Sequence, residues 1–329
     1  MKTHRWFLLA SVALLFSSCS GSDLNPSRPT TDDTSGIYLD KVDVHVEYKS
    51  AQVFGTIMVY QKPERISKVE VLFGDSASQL SRKATGSYNS QDGFSVSLTN
   101  LEDGAQYFYR VDIIVGKSSI KGEVNNFITF PCGPVDLDLP SGKKWASANL
   151  GAELPTDSGD HYAWGETSTK PRYDWATYKY CNGEFTKLTK YCTNTYSSDN
   201  PNKIDNLIKL LPEDDAATAI LGQSYATPSS DDWKELKNNC KIKYTTINGV
   251  TGLIVSSFKD SNNYKKFIFL SGDTGYYDGT HLSGGGYYWS STLDSQSPWR
   301  ALNAWMLTDL TDSAGSRCYG EVIRPIYVK

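Results

Sequence analysis

The sequence predicts two folded units of different class, an all-β sandwich followed by an α+β unit, and three observations carry the prediction. Short apolar alternations recur from Gly36 to about Phe130 with no helical period between them. At Pro131-Cys132-Gly133-Pro134 the composition shifts, and seven of the eight tryptophans and fifteen of the 21 tyrosines lie beyond that point. The helix starts expected at Pro212 and Ser229 both lie in this second stretch. A length of 329 residues accommodates two cores, at roughly 100 to 200 residues per domain. With 39% apolar and 21% charged residues, the chain has the composition of a folded protein.

The first eighteen residues read as an export signal. Lys2, His4 and Arg5 form a basic start, Trp6 to Phe16 an apolar run of 11 broken only by Ser11, and Ser17-Ser18 a small-residue end. Such a run is too short to span a bilayer, which needs about 20 apolar residues. The ending Leu15-Phe16-Ser17-Ser18-Cys19 resembles a bacterial lipobox, which implies a mature chain that begins at an acylated Cys19 and is held to the membrane by that lipid. A plain secretory signal with an incidental Cys19 is the alternative. Residues 19–35 then form a polar tether, because a stretch with one aliphatic and no aromatic side chain after Cys19 cannot offset its ordering entropy. Without residues 1–18 the chain carries 31 cations against 37 anions. That balance, with no run of Lys or Arg, excludes a nucleic-acid partner.

Within 36–131, Val42, Val44 and Val46 alternate with polar residues, and further strands are expected at Val53–Tyr60, Val69–Phe73, Phe94–Leu98, Tyr107–Val115 and Asn126–Phe130. The turn-like segments GDS, NSQDG and EDG separate them. Leu101-Glu-Asp-Gly-Ala-Gln-Tyr107, followed by Tyr109-Arg110-Val111, resembles the tyrosine corner of fibronectin type III domains. With no tryptophan and no cluster of catalytic residue types in 36–131, this unit is expected to be a spacer.

Six motifs mark 132–329: VDLDLPSGKKWASANLGA (135–152), GDHYAWGET (159–167), LPEDDAAT (211–218), TPSSDDWKELKNNC (227–240), GYYWSST (286–292) and RCYGEVIRPI (317–326). Together they resemble the Fibrobacter succinogenes major paralogous domain, a family related to C-type-lectin-like and sulfatase-modifying-factor folds and common in surface lipoproteins of gut anaerobes. Glu321 stands where an apolar residue is usual, and Tyr225-Ala226-Thr227 where an Arg-Met-Pro-like stretch is more common. The resemblance implies a C-type-lectin-like α+β fold.

The residues themselves give local structure. Ser229 and Asp232 make a capping-box variant, and Trp233, Leu236 and Cys240 recur at helical spacing, so 230–239 is expected to be an amphipathic helix. Leu211-Pro212 followed by three acids predicts a second short helix, and Ile204–Leu211 a third. Val250–Phe258, Lys266–Leu270, Tyr287–Ser291, Ala304–Thr308 and Gly320–Tyr327 read as strands.

Five cysteines remain after lipidation, an odd number. Cys181 and Cys192 enclose ten residues in a Tyr-rich, loop-rich segment, and a bridge between them is expected, worth about 2.5 to 3 kcal/mol. The pairing of Cys132, Cys240 and Cys318 stays open. The cysteines lack zinc spacing. Asp273-Thr-Gly-Tyr-Tyr-Asp278-Gly279 lacks the acidic density of a calcium loop, and the sugar-lectin calcium motifs Glu-Pro-Asn, Gln-Pro-Asp and Trp-Asn-Asp are absent, so no metal or other cofactor is expected.

No G-x-S-x-G, H-E-x-x-H, phosphate-binding loop or dinucleotide fingerprint occurs. His161, beside Asp160 and near Glu166, and His281, after Asp273 and Asp278, are the candidates for a general base, but each reads in preference as a surface or loop histidine. Cys318 has no second cysteine a few residues away, so the activity of sulfatase-modifying enzymes does not carry over. The expectation is a non-enzymatic, outer-membrane or surface-anchored lipoprotein that binds a glycan or protein ligand, possible as a fimbrial tip or within another surface assembly. A glycan-processing enzyme, or an accessory component of a polysaccharide-uptake system, is the alternative. Ligand contact is expected on the loops between Ser271 and Trp299, at Asp273, Tyr276, Tyr277, Asp278 and Trp299, where aromatic faces stand beside acceptors among six glycines.

Overall fold

Seven antiparallel strands build the first unit of the computed structural model, which describes residues 36–60, 66–202, 204–259, 265–272, 275–277, 280–282 and 285–328, with 275–277 and 280–282 described by backbone alone. The strands are β1 (Ile37–Val46), β2 (Ala51–Val59), β3 (Ile66–Gly74), β4 (Arg82–Asn89), β5 (Gly93–Leu98), β6 (Gln106–Val115) and β7 (Ser118–Ile128). Their lateral order is β1-β2-β5-β4-β3-β6-β7. Period-2 burial is clearest in β5, where Phe94, Val96 and Leu98 point inward and Ser95 and Ser97 outward. Val53, Val69, Val71, Phe127 and Tyr109 join them in one core. At the corner before β6, the hydroxyl of Tyr107 accepts the backbone N–H of Glu102 at 2.9 Å. The expected signal peptide, acylated Cys19 and tether fall on residues 1–35, outside the described residues.

The expected strands are present, with two differences. The segment 82–89, which carries no apolar run, is β4. It forms because its two neighbours, β3 and β5, both offer open ladders. The last strand begins at Ser118, eight residues before the expected Asn126, since Ser118–Lys121 continue the ladder with β6.

The C-terminal unit contains β8 (Pro134–Val135), β9 (Lys144–Ala146), a 3-10 turn (Pro212–Asp214), α1 (Ala216–Leu221), β10 (Tyr225–Ala226), α2 (Ser230–Asn239), β11 (Cys240–Ile247), β12 (Val250–Ser257), β13 (Phe267–Ser271), β14 (Gly275–Tyr277), β15 (Thr280–Leu282), β16 (Gly286–Leu293), β17 (Arg300–Met306), β18 (Leu310–Ser316), β19 (Gly320–Glu321) and β20 (Ile326–Tyr327). They make four small sheets, β10-β20-β9-β8, β11-β12-β13, β15-β14-β19 and β16-β17-β18. The chain as described is therefore mostly β. The α+β expectation for this unit overstates helix, because two α-helices of six and ten residues stand against these strands.

Helix α2 matches its expected range. Ser229 Oγ accepts the Asp232 N–H, and the Asp232 carboxylate accepts the Ser229 N–H at 2.8 Å, completing the capping box. Trp233 lies on the buried face, 4.7 Å from Trp145 between ring centroids. Asp215 caps α1 and also accepts the Thr227 N–H and hydroxyl, so one carboxylate starts the helix and pins the next turn.

Ile204–Leu211 is irregular, with Asn206 left-handed at φ of 54° and a single bridge from Lys209 to Thr292, and is not helical. Pro212 disfavours helix at the residue before it, and the backbone finds partners in β16 instead, Leu210 N–H on Ser291 and Leu293 N–H on Ile208, both at 2.9 Å. The expected strand Gly320–Tyr327 is split into β19 and β20 by the Arg324-Pro325 pair. Pro325 has no N–H to donate. Arg324 is fully buried and donates to Asn149 Oδ1 and to the carbonyls of Ala146, Ser147 and Phe269. That guanidinium joins the WASANLG and IRPI motifs together with the backbone, where the Ala146 N–H donates to the Pro325 carbonyl and the Leu150 N–H to that of Ile323.

The two units share a boundary. Phe267 and Phe269 of β13 join the sandwich core, and the Asn248-Gly249 turn between β11 and β12 has φ of 52° and 78°, the pairing that favours Asn and Gly. Asn248 reaches Val46 in β1.

Candidate functional site

Three surface turns converge on one aromatic platform. In the first, the backbone pairs Cys181 with Leu188, and Gly183 has φ of 78°, so the turn projects Phe185 at its tip. In the second, Asn194 Oδ1 accepts the Ser197 N–H at 2.9 Å and the turn carries Tyr196 outward. The third is closed by Asp294, which accepts the Gln296 and Ser297 N–H groups, and leads into Trp299. Thr193 Oγ1 donates to the Ser295 carbonyl at 2.9 Å and ties the second turn to the third.

The rings meet edge to face. Trp299 lies 5.8 Å from Phe185 and 6.4 Å from Tyr196, with interplanar angles of 61° and 71°. Trp175 continues the row at 6.4 Å from Phe185 and 5.6 Å from Tyr178. Tyr196 is 67% exposed and Phe185 39% exposed, whereas Trp299 and Trp175 are half-buried against the core. The outer two rings are thus free to meet a ligand, and the inner two support them.

Beneath the platform lies Arg317, fully buried. Its Nη1 donates to the carbonyls of Pro298 and Tyr191 at 2.9 and 3.0 Å, its Nη2 to that of Lys190 at 3.0 Å, and its Nε to the Tyr178 hydroxyl at 2.9 Å. The Arg317 N–H also donates to the Trp299 carbonyl at 3.0 Å. One planar donor fork therefore fixes the Trp299 turn against the Tyr178–Tyr191 segment. The guanidinium also stands 5.1 Å from the Trp164 ring centroid and 5.2 Å from that of Tyr178.

Asp214, from the LPEDD motif, anchors the same segment. It accepts the hydroxyls of Tyr180 and Tyr191 and the Lys190 ammonium. Burial pushes its carboxyl up, but the hydrogen bonds from Lys190, Tyr180 and Tyr191 outweigh burial and hold it below the usual carboxylate range. Burial, followed by the Asp214 contact, pushes the Tyr180 and Tyr191 hydroxyls well above their ordinary values. Tyr191 has φ of 58°, a left-handed conformation costly for an aromatic residue. Asp205 holds it there by accepting the Tyr191 and Cys192 N–H groups at 2.7 and 2.9 Å.

Of the residues expected to contact ligand, Trp299 is in the platform. Asp273 and Asp278 lie outside the described residues, while Tyr276 and Tyr277 are placed by backbone in β14, paired with β15 and β19. Phe185, Tyr196 and Trp175 were not singled out by the sequence. For Phe185 and Tyr196 the signal was a lone aromatic inside Asn/Gly/Ser-rich turns, NGEF and NTYSS, whereas Trp175 lies in the aromatic-rich RYDWATYKY and had no such mark.

The Cys181–Cys192 bridge expected from spacing is not formed. Cys181 Sγ donates to the Trp175 carbonyl and Cys192 Sγ to the Asn194 carbonyl, each at 3.1 Å, and the described cysteines are thiols. Backbone pairing of Leu188 with both Cys181 and Ser198 closes the segment instead. Burial pushes the Cys240 and Cys318 thiols up to about 12, which makes them poor nucleophiles. Glu166, considered as a partner for His161, is paired with Lys170 at 2.9 Å and accepts the Lys179 N–H. The carbonyl of His161 accepts the Tyr173 hydroxyl. Residue 281 is described by backbone alone.

No family model matches the chain. No curated protein matches it either. Among solved structures it is similar to a computationally redesigned β-sandwich protein, at 23% identity over 27% of this chain and 90% of that chain, with a TM-score of 0.22. A likeness that slight carries no argument about the function of this chain.

Proposed function

We propose that this protein is a surface-anchored binding module whose aromatic platform takes a glycan on the exposed rings of Phe185 and Tyr196, with Trp299 behind them. The observation that carries the reading is exposure: two aromatic rings stand out on turns, braced from beneath by Trp175 and Arg317. Such rings offer flat apolar faces to the C–H faces of a sugar, and the scaffold keeps their ordering cost low. The sandwich serves as spacer. Its reading as fibronectin type III-like is supported by the strand order and by the Tyr107–Glu102 bond. Membership of 132–329 in the Fibrobacter succinogenes major paralogous family, with its C-type-lectin-like fold, rests on the six sequence motifs. Attachment to the outer membrane or cell surface through an acylated Cys19, and display on a fimbria or similar assembly, rest on the lipobox-like ending of the signal.

The test is a polysaccharide panel with the mature chain. Retention on a glycan without release of new reducing ends supports binding. Release of reducing ends supports the glycan-processing alternative instead.

A further inference from the structure

The two ends of the sandwich differ in what they present. At one end, Val46 and Tyr48 meet the second unit through Asn248 and Ser147. At the other, where the described chain begins, the Gly36 carbonyl accepts the Tyr60 N–H at 2.9 Å. Strand β1 has ten residues and separates the ends by about 30 Å, at roughly 3.3 Å per residue.

This second end is apolar on its surface. Tyr60 is 68% exposed, Met58 40% and Val59 37%. Tyr38 stacks on Tyr60 with centroids 5.2 Å apart. Both hydroxyls donate to Met58 Sδ, at 3.7 and 3.3 Å. Ile66 pairs with Val115 at the same end, which brings the exposed Lys117 of the β6–β7 turn to its rim. Phenol rings with a polar tip, a flexible thioether and a long-stemmed cation are side chains suited to the boundary between water and hydrocarbon.

We infer that this end, through Tyr38, Met58, Val59 and Tyr60, rests on the lipid surface to which Cys19 attaches the chain. The inference depends on Cys19 being an anchor. Sixteen residues lie between Cys19 and Gly36, and at roughly 3.4 Å per residue they reach at most about 55 Å. The chain enters the fold beside Tyr60, so the anchor holds this patch near the bilayer at high effective concentration, where individually weak contacts become populated. The platform-bearing unit, joined to the opposite end, is directed away from the membrane.

The experiment uses the native acylated chain reconstituted into phosphatidylethanolamine–phosphatidylglycerol vesicles, beside the unacylated chain from Ser20 onward mixed with the same vesicles. Peroxide oxidation of Met58 is followed by peptide mass spectrometry. Oxidation at least about fivefold slower in the acylated chain is expected, because the thioether is shielded from the aqueous oxidant. The double substitution Tyr38→Ser and Tyr60→Ser should restore much of the rate. Equal rates in a chain whose Cys19 is acylated would overturn the lipid contact and leave the anchor standing. An unmodified Cys19 would overturn both. Slow oxidation in both chains would show that the thioether is shielded by its own fold, under the Tyr38 and Tyr60 hydroxyls, and would overturn the lipid assignment.

Discussion

Asn248 grips Val46 at both of its backbone polar groups, across 202 residues of sequence: Oδ1 accepts the Val46 N–H at 2.7 Å, and Nδ2 donates to the Val46 carbonyl at 2.8 Å. Val46 ends β1, so the clamp completes a strand end of the sandwich with a side chain from the second unit. Phe267 and Phe269 add apolar contact beside it. The two units are thereby joined at this boundary by both polar and apolar contacts.

Replacing Asn248 with Gly keeps the left-handed turn and deletes the clamp. Loss of about 1 to 2 kcal/mol is expected, from two hydrogen bonds at a part-buried site. Hydrogen exchange should quicken at Val46 while the β11–β12 amides remain protected. Quickening confined to the hairpin would mean the turn, not the clamp, had been disturbed.

Tyr107→Phe should lower stability by about 1 to 2 kcal/mol, because the Glu102 N–H loses its acceptor at a part-buried corner. Urea denaturation measures it. No loss would leave the corner without an energetic role.

Asp214→Asn leaves Lys190, Tyr180 and Tyr191 with a weaker partner, and a loss of roughly 2 to 4 kcal/mol at neutral pH is expected. The sign with pH follows from the depressed folded-state carboxyl. Its contribution is present above the unfolded-state value and is lost as pH falls through the lower folded-state value. The gap between wild type and variant in urea should therefore narrow in acid. A gap that is constant with pH would contradict the ionised state of Asp214.

Glu321 behaves in the opposite sense. Burial pushes its carboxyl up to about 8, against the lowering effect of Asn303, whose Nδ2 donates to both oxygens. The neutral acid belongs to the fold. As pH rises from the ordinary carboxylate value of about 4.5 to about 8, the unfolded chain ionises first and stability falls. Glu321→Gln should remove that slope and, near pH 8, raise stability by on the order of 4 kcal/mol. Denaturation midpoints across the range decide it, and parallel curves for the two proteins would reject a protonated Glu321.

The sequence displayed the parts of this fold in which local and tertiary forces agree. Val42, Val44 and Val46, or Phe94, Val96 and Leu98, alternate because one face of each strand is buried, and the Ser229–Asp232 box starts α2 wherever it is placed. Strand β4 was hidden because its inward side is Arg82, Ala84, Gly86 and Tyr88, which contains no apolar run, and its pairing is dictated by neighbours. Ile204–Leu211 has helical spacing, yet its backbone is recruited by β16. The platform was half legible. Trp299 stood out by type, but Phe185 and Tyr196 join it through long-range bonds, Arg317 to the carbonyls of Lys190, Tyr191 and Pro298 and Thr193 to that of Ser295, a convergence that no local pattern encodes. The glutamate at position 321 was conspicuous as a departure, and its burial explains why an apolar residue could occupy the same place.

The central claim is that the outer rings bind and the inner rings support. It is tested by the affinity of the mature chain for a glycan retained from the panel, measured by calorimetry for Tyr196→Ala and Phe185→Ala with the thermal midpoint of each. Because these rings are exposed, each variant should bind at least about fivefold more weakly, about 1 kcal/mol, with a midpoint close to that of the wild type. Trp299→Ala, which removes a half-buried support, should lower both affinity and midpoint. Full affinity in the Tyr196 and Phe185 variants, or affinity lost only together with folding, would contradict the platform as the binding surface.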